Sequence, residues 1–179
     1  MKSSFFQRQK KQFGFLSIEA IVVLVIVLGL LALGASKMDI LTGNSNATEE
    51  LSNVQTLFAA TKGLKTSAGY GTSGTDLMAT HIANGSVPKN VSVVGGVAKN
   101  LYGGTLTVTS TGTGFSVSQA ALPSDACIKL ALKVSAGGTF ASTTFNGGTA
   151  TTGPLSSAAA TAGCNAANNQ NTVVWTTAS

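Results

Sequence analysis

The sequence predicts an α+β protein. A long N-terminal α-helix, hydrophobic in its first half and amphipathic in its second, packs on a globular head with an antiparallel β-sheet, short helices and one disulfide. Three observations carry this. Residues 15–35 are almost entirely apolar. Leu51, Val54, Phe58 and Thr61 then recur at i, i+3, i+7 and i+10, with Leu57 and Leu64 beside them, which is one apolar stripe of a helix. Residues 105–109 and 115–119 instead alternate with period two across a Gly-containing loop, and 171–177 reads as a further strand.

The first fourteen residues carry Lys2, Arg8, Lys10 and Lys11 and no acid, and they end in Gly14. Phe15 follows, and Glu19 lies four residues further on, inside the apolar run. A carboxylate within a membrane helix costs roughly 2.5–3.5 kcal/mol even on insertion scales and usually has a functional partner. Cleavage after Gly14 would supply one, the new α-amino group of Phe15.

This junction closely resembles that of the type IV pilins, in which a dedicated prepilin peptidase cuts after the glycine and the fifth residue of the mature chain is glutamate. The resemblance implies cleavage between Gly14 and Phe15, modification such as methylation at the Phe15 amine, and Glu19 as the residue that sets subunit register during assembly. It implies three segments: a leader over 1–14, a transmembrane and fibre-core helix over 15–41, and a head over 42–179 that includes the second half of the long helix. Its implied partners are further copies of the chain in a helical filament, the prepilin peptidase, the inner-membrane assembly platform with its ATPase, and minor pilins. The chain would reside in the inner membrane as a prepilin and then in an extracellular pilus of a Gram-negative bacterium. Attachment between cells, including conjugative mating-pair contact, is the function so implied.

The segments read from the residues as follows. Residues 15–35 as helix span about 31 Å at 1.5 Å per residue, enough to cross a bilayer. Gly29 and Gly34 interrupt it. They allow neighbouring helices to approach closely, and the resemblance adds a stretch that melts when subunits leave lipid. Residues 42–46 read as a kink. Thr48 with Glu49 and Glu50 then reads as a new N-terminal turn, and that helix is expected to end near Ser67. Residues 75–85 read as a short helix with a Thr75 cap and a Gly85 terminator. Residues 91–94 read as a strand. Residues 123–135 read as a helix capped by Ser124, with Cys127, Ile128, Ala131 and Leu132 inside. Residues 139–163, rich in Gly, Ser, Thr and Ala, are expected to be mostly loop.

Cys127 and Cys164 are the two cysteines. An even count in an exported chain reads as a disulfide. A helix-borne first cysteine, a late second one and a closing strand with Trp175 resemble the type IVb subgroup of enteric bundle-forming and conjugative thin-pilus pilins. There the last strand lies within the sheet.

Composition excludes several function classes. The formal net charge is +5. Without the leader, seven basic residues face six acids, so the processed chain carries about one net positive charge and no nucleic-acid partner is expected. His81 is the only histidine, read as structural, and no catalytic triad, carboxylate pair or phosphate-cradling loop is apparent, so no enzyme and no cofactor are expected. The Cys and His spacing lacks the form of a zinc site. Lys129 and Lys133, one turn apart, read as a solvated face. Two rival readings remain. One is a type II secretion pseudopilin or minor pilin, although the lack of any acid after Asp125 disfavours the calcium-binding kind of pseudopilin. The other is a secreted carbohydrate-binding module with an ordinary signal peptide cut near Ala32-Leu33-Gly34.

Overall fold

A computed structural model describes residues 45–178. The leader and the apolar segment expected over 15–41 lie outside the described residues. Among those described, no helix is long and apolar enough to cross a membrane.

The first described element, α1, is helical over 45–62. Its buried stripe is Ala47, Glu50, Val54, Leu57 and Thr61, with Asn53 alongside. That spacing keeps one face of a helix on the core. Ser45 and Asn46 are already helical, so the expected kink does not fall on them, and Thr48 lies inside the helix rather than at its start. The helix also stops earlier than Ser67. Gly63 and Leu64 close it with turn bonds to Ala60 and Thr61, and Thr66 and Gly69 then exchange backbone hydrogen bonds in a tight turn. Gly69 has φ +86°, and a Cβ there would lie 2.4 Å from the Gly112 carbonyl oxygen. Only glycine meets both conditions, and Tyr70 N–H donates to that same carbonyl at 2.8 Å. The turn after α1 is thereby fastened to the head.

Helix α2, Leu77–Ala83, is capped by Asp76, whose carboxylate accepts from Met78 N and Ala79 N. Asp76 displaces the expected Thr75 as cap because its side chain reaches both free N–H groups. Gly85, at φ +65°, follows the helix end as expected. The strand expected over 91–94 is half of a hairpin, β1 Ser92–Val94 with β2 Val97–Lys99, turned by Gly95 and Gly96 at positive φ. It stands apart from the main sheet and carries Val93, Val94 and Val97 exposed.

The main sheet has β3 Leu106–Ser110, β4 Phe115–Leu122, β5 Ser142–Phe145, β6 Thr151–Thr152 and β7 Asn171–Thr176, in the order β3-β4-β7-β5-β6. Every pairing is antiparallel. The expected hairpin of β3 and β4 is present, with one dry face formed by Leu106, Val108, Phe115 and Val117. Strand β7 is central and buries Val173 and Trp175 on that face.

Helix α3, Ser124–Ala136, packs beside α1 over this face. Its inner residues are Ala126, Cys127, Leu130, Ala131 and Val134, whereas the expected Ile128 and Leu132 are half-buried. The buried face is rotated by one position because Leu130 and Val134 meet the sheet. Ser124 is not the cap. Pro123 holds that position without a capping side chain, and Asn169 from a distant loop accepts from Ser124 N–H at 2.6 Å. The expected loop over 139–163 is corrected most: it contains β5, β6 and α4, Ser157–Gly163, the last capped by Ser156. Strand β5 gains its structure from pairing along β7, a long-range partner that local composition does not reveal.

Candidate functional site

Helix α1 is joined to the rest of the head by buried polar side chains. The joint has two buried polar clamps, one near each end of the described helix.

The first clamp is Glu50. Its side chain is fully buried. One carboxylate oxygen accepts from Leu101 N–H on the loop after β2. The other accepts from Gln119 Nε2 in β4 at 2.6 Å. Glu50 thus ties α1 to the loop and the sheet at once. Next to it, Glu49 accepts from Asn90 at 2.6 Å, so the same turn also holds the loop before β1. Every donor to Glu50 is neutral. Burial, with a smaller push from the neighbouring Glu49 charge, raises its pKa, and the Leu101 and Gln119 hydrogen bonds oppose that rise only in part. The Asn53 amide one turn on lies near the carboxylate without a hydrogen bond of good geometry to it. Tyr102, on the same loop, has its hydroxyl buried and unpartnered. Burial first, then the charges of Asp125 and Glu50, push its pKa up to about 12.

The second clamp is His81, which is fully buried between α2 and α1. Its Nε2 lies 2.8 Å from Thr61 Oγ1, and its Nδ1 lies 2.9 Å from Ser86 Oγ. Thr61 gives its own proton to the Leu57 carbonyl at 2.6 Å. The threonine must therefore accept from His81 Nε2–H, and in the neutral ring the Ser86 hydroxyl, which also lies 3.4 Å from the His81 carbonyl, donates to Nδ1. Burial lowers the His81 pKa accordingly.

Opposite these clamps, Cys127 of α3 and Cys164 after α4 form the expected disulfide, with Cα atoms 5.8 Å apart. Asn171 and Asn146 reinforce it. Buried Asn171 donates to the Leu122 carbonyl and accepts from Ala166 N–H. Asn146 donates to the Gly163 carbonyl at 2.9 Å and accepts from Thr172 N–H at 2.8 Å. No role at a site is read for these two asparagines from the sequence, and Glu50 is read only as a first-turn acid. The Asn146-Gly147 pair is the one signal present, and it marks a left-handed turn, with Asn146 at φ +49°.

Of the residues expected to act in assembly, Gly14, Phe15, Glu19, Gly29 and Gly34 lie outside the described residues. Lys129 pairs with Asp125 at 3.6 Å on an exposed face.

The family model described as PilS N terminal matches residues 44–178. A solved structure, the crystal structure of type IV b pilin from Salmonella typhi, superposes with a TM-score of 0.62 at 25% identity, covering 74% of this chain and 99% of that one. No curated protein matches.

Proposed function

The chain belongs to the PilS family of type IV pilins, and from that premise we propose that it is the major subunit of a type IV pilus that attaches cells to one another, including conjugative mating pairs. Family membership makes it a structural, non-enzymatic subunit of an extracellular filament. The finer reading is supported by the sequence ahead of the matched region. A peptidase cuts between Gly14 and Phe15, the Phe15 amine is modified, and residues 15–41 hold the subunit in the inner membrane until the assembly platform and its ATPase extract it. In the growing fibre, the Glu19 carboxylate of an incoming subunit meets the Phe15 amine of one already in place. Opposite charges attract strongly in a low-dielectric bundle, and a wrong register leaves a buried charge unpaired. Gly29 and Gly34 let the helix pack closely or melt as it leaves lipid. The exposed Val94 and Val97, paired across one face of the β1–β2 hairpin, offer apolar surface for a neighbouring head to cover.

The observation that carries the reading is the family match over 44–178, immediately behind the Gly14–Phe15–Glu19 junction and its apolar run. The test is electron microscopy of sheared surface filaments with intact-mass measurement of their subunit. Abundant filaments of a subunit beginning at Phe15 are expected, and Glu19→Ala is expected to be processed normally yet to assemble poorly. Normal filament numbers and lengths from processed Glu19→Ala protein would place register elsewhere. A subunit that is scarce within filaments built of another protein would make it a minor pilin.

A further inference from the structure

At the far end of α1, a cavity of about 240 Å³ opens between the helix, the β3–β4 loop and the stretch after β7. Two cations stand over it. Lys62 Nζ sits 5.4 Å from the Phe58 ring centre, and Lys65 Nζ sits 5.9 Å from that of Tyr70. These contacts hold the ammonium groups near the cavity instead of letting them swing free in solvent. Neither lysine has a carboxylate partner among the described residues. The C-terminal dipole of α1 favours cations there, but it does not account for an open cavity beneath them. Half-buried Phe58 and the edge of Tyr70 give the cavity an apolar side. Thr113 and Thr139 on its rim are exposed, and their hydroxyls make no hydrogen bond among the described residues. Thr177, by contrast, is fully used by the Phe115 backbone.

We propose that this cavity binds a carboxylated monosaccharide. Two ammonium groups without a carboxylate partner among the described residues suit one carboxylate, the threonine hydroxyls on the rim suit a polyol, and the apolar side suits the C–H face of a sugar ring. The cavity is smaller than the roughly 300–1,000 Å³ typical of drug-sized ligands, which matches one ring and not an oligomer. The position of Tyr70 is built in by the Gly69 turn and its bond to Gly112, so the site is largely formed before a ligand arrives. An acidic glycan on another cell is the natural source of such a group. Binding here does not depend on filament assembly.

The test uses the full-length chain in detergent micelles, labelled with ¹⁵N and titrated with N-acetylneuraminic acid. Saturable shifts are expected at the Lys62, Lys65, Tyr70 and Thr113 amides at millimolar concentrations. The methyl ester of the same sugar should bind more weakly, since it lacks the charge. Lys62→Gln with Lys65→Gln should weaken binding by roughly tenfold or more with an unchanged melting temperature, and Lys62→Arg with Lys65→Arg should retain it. Equal binding of acid and ester, binding unaffected by the double glutamine variant, or shifts located elsewhere would overturn the proposal. So would saturable binding of a short polyaspartate peptide at this cavity without any by the sugar, which would make the site a peptide site.

Discussion

Glu50 offers a sharp test of how α1 is held, because two substitutions should act in opposite directions. Glu50→Ala removes both acceptors and leaves Leu101 N–H and the Gln119 amide buried without partners. Leaving a buried neutral donor unsatisfied typically costs about 1–3 kcal/mol, and full burial of Glu50 means that both donors are stranded away from water. Glu50→Gln keeps the shape and the acceptor for Leu101. Its new amide NH₂ faces Gln119, whose Oε1 is buried and lacks a partner. A flip of the Gln119 amide turns that oxygen toward the new donor, restoring the hydrogen bond without a buried charge. Glu50→Gln is therefore expected to match the wild type within about 1 kcal/mol near pH 5. The sign of the pH effect follows from linkage. A carboxyl whose pKa is raised on folding binds more protons in the folded state, so its contribution is complete below the ordinary carboxylate value and is lost as pH rises through the folded value. The amide does not titrate, so the variant should gain on the wild type as pH rises above about 4.3. Urea unfolding of the full-length protein in detergent, followed by circular dichroism across that range, reads both effects. A Glu50→Gln protein that loses several kcal/mol, or that loses ground to the wild type as pH rises, would refute the account of Glu50 as a buried acceptor of neutral donors.

Replacing both Cys127 and Cys164 with Ala removes a cross-link across 37 residues of sequence separation. Chain entropy gives about 4 kcal/mol for such a loop, and the melting temperature should fall accordingly. A loss below about 1 kcal/mol would show that Asn146, Asn171 and β5 pairing hold this region by themselves. His81 sets a second pH dependence, opposite in sign to that of Glu50. Its lowered folded pKa means that stability is complete above the unfolded value of about 6.5 and declines as pH falls below it. His81→Gln should flatten the decline between about pH 6.5 and 5, and an unchanged slope would assign it to other groups.

The parts of the fold written in local periodicity were legible: the stripe of α1, the alternation of β3 and β4, and the Gly85 stop after α2. The central position of β7 was legible only through resemblance. Residues 139–163 failed because a run of Gly, Ser, Thr and Ala has little periodic signal. Strand β5 exists because β7 offers it a partner, and tertiary pairing of that kind overrides weak local preference. The Ser156 cap before three alanines was a readable signal for α4 that composition obscured. Glu50 read as a first-turn acid and proved to be the buried centre of the joint. Sequence shows that an acid is present, but not that Leu101 and Gln119, 51 and 69 positions on, will supply its donors.

The order β3-β4-β7-β5-β6 has a kinetic consequence. Chain order delivers two separate hairpins, β3–β4 and β5–β6, that never pair with each other. Isolated two-stranded hairpins are marginal in water. Only β7, the last strand among the described residues, joins them. Its Trp175 fills the core shared with Val54 and Leu57 of α1. Contacts of such long sequence separation make folding slow and strongly cooperative. A stalled or nicked chain lacking β7 would present two unzipped edges and no finished face for α1. The head is thus a completeness check on its own polypeptide, passed only when β7 is in place.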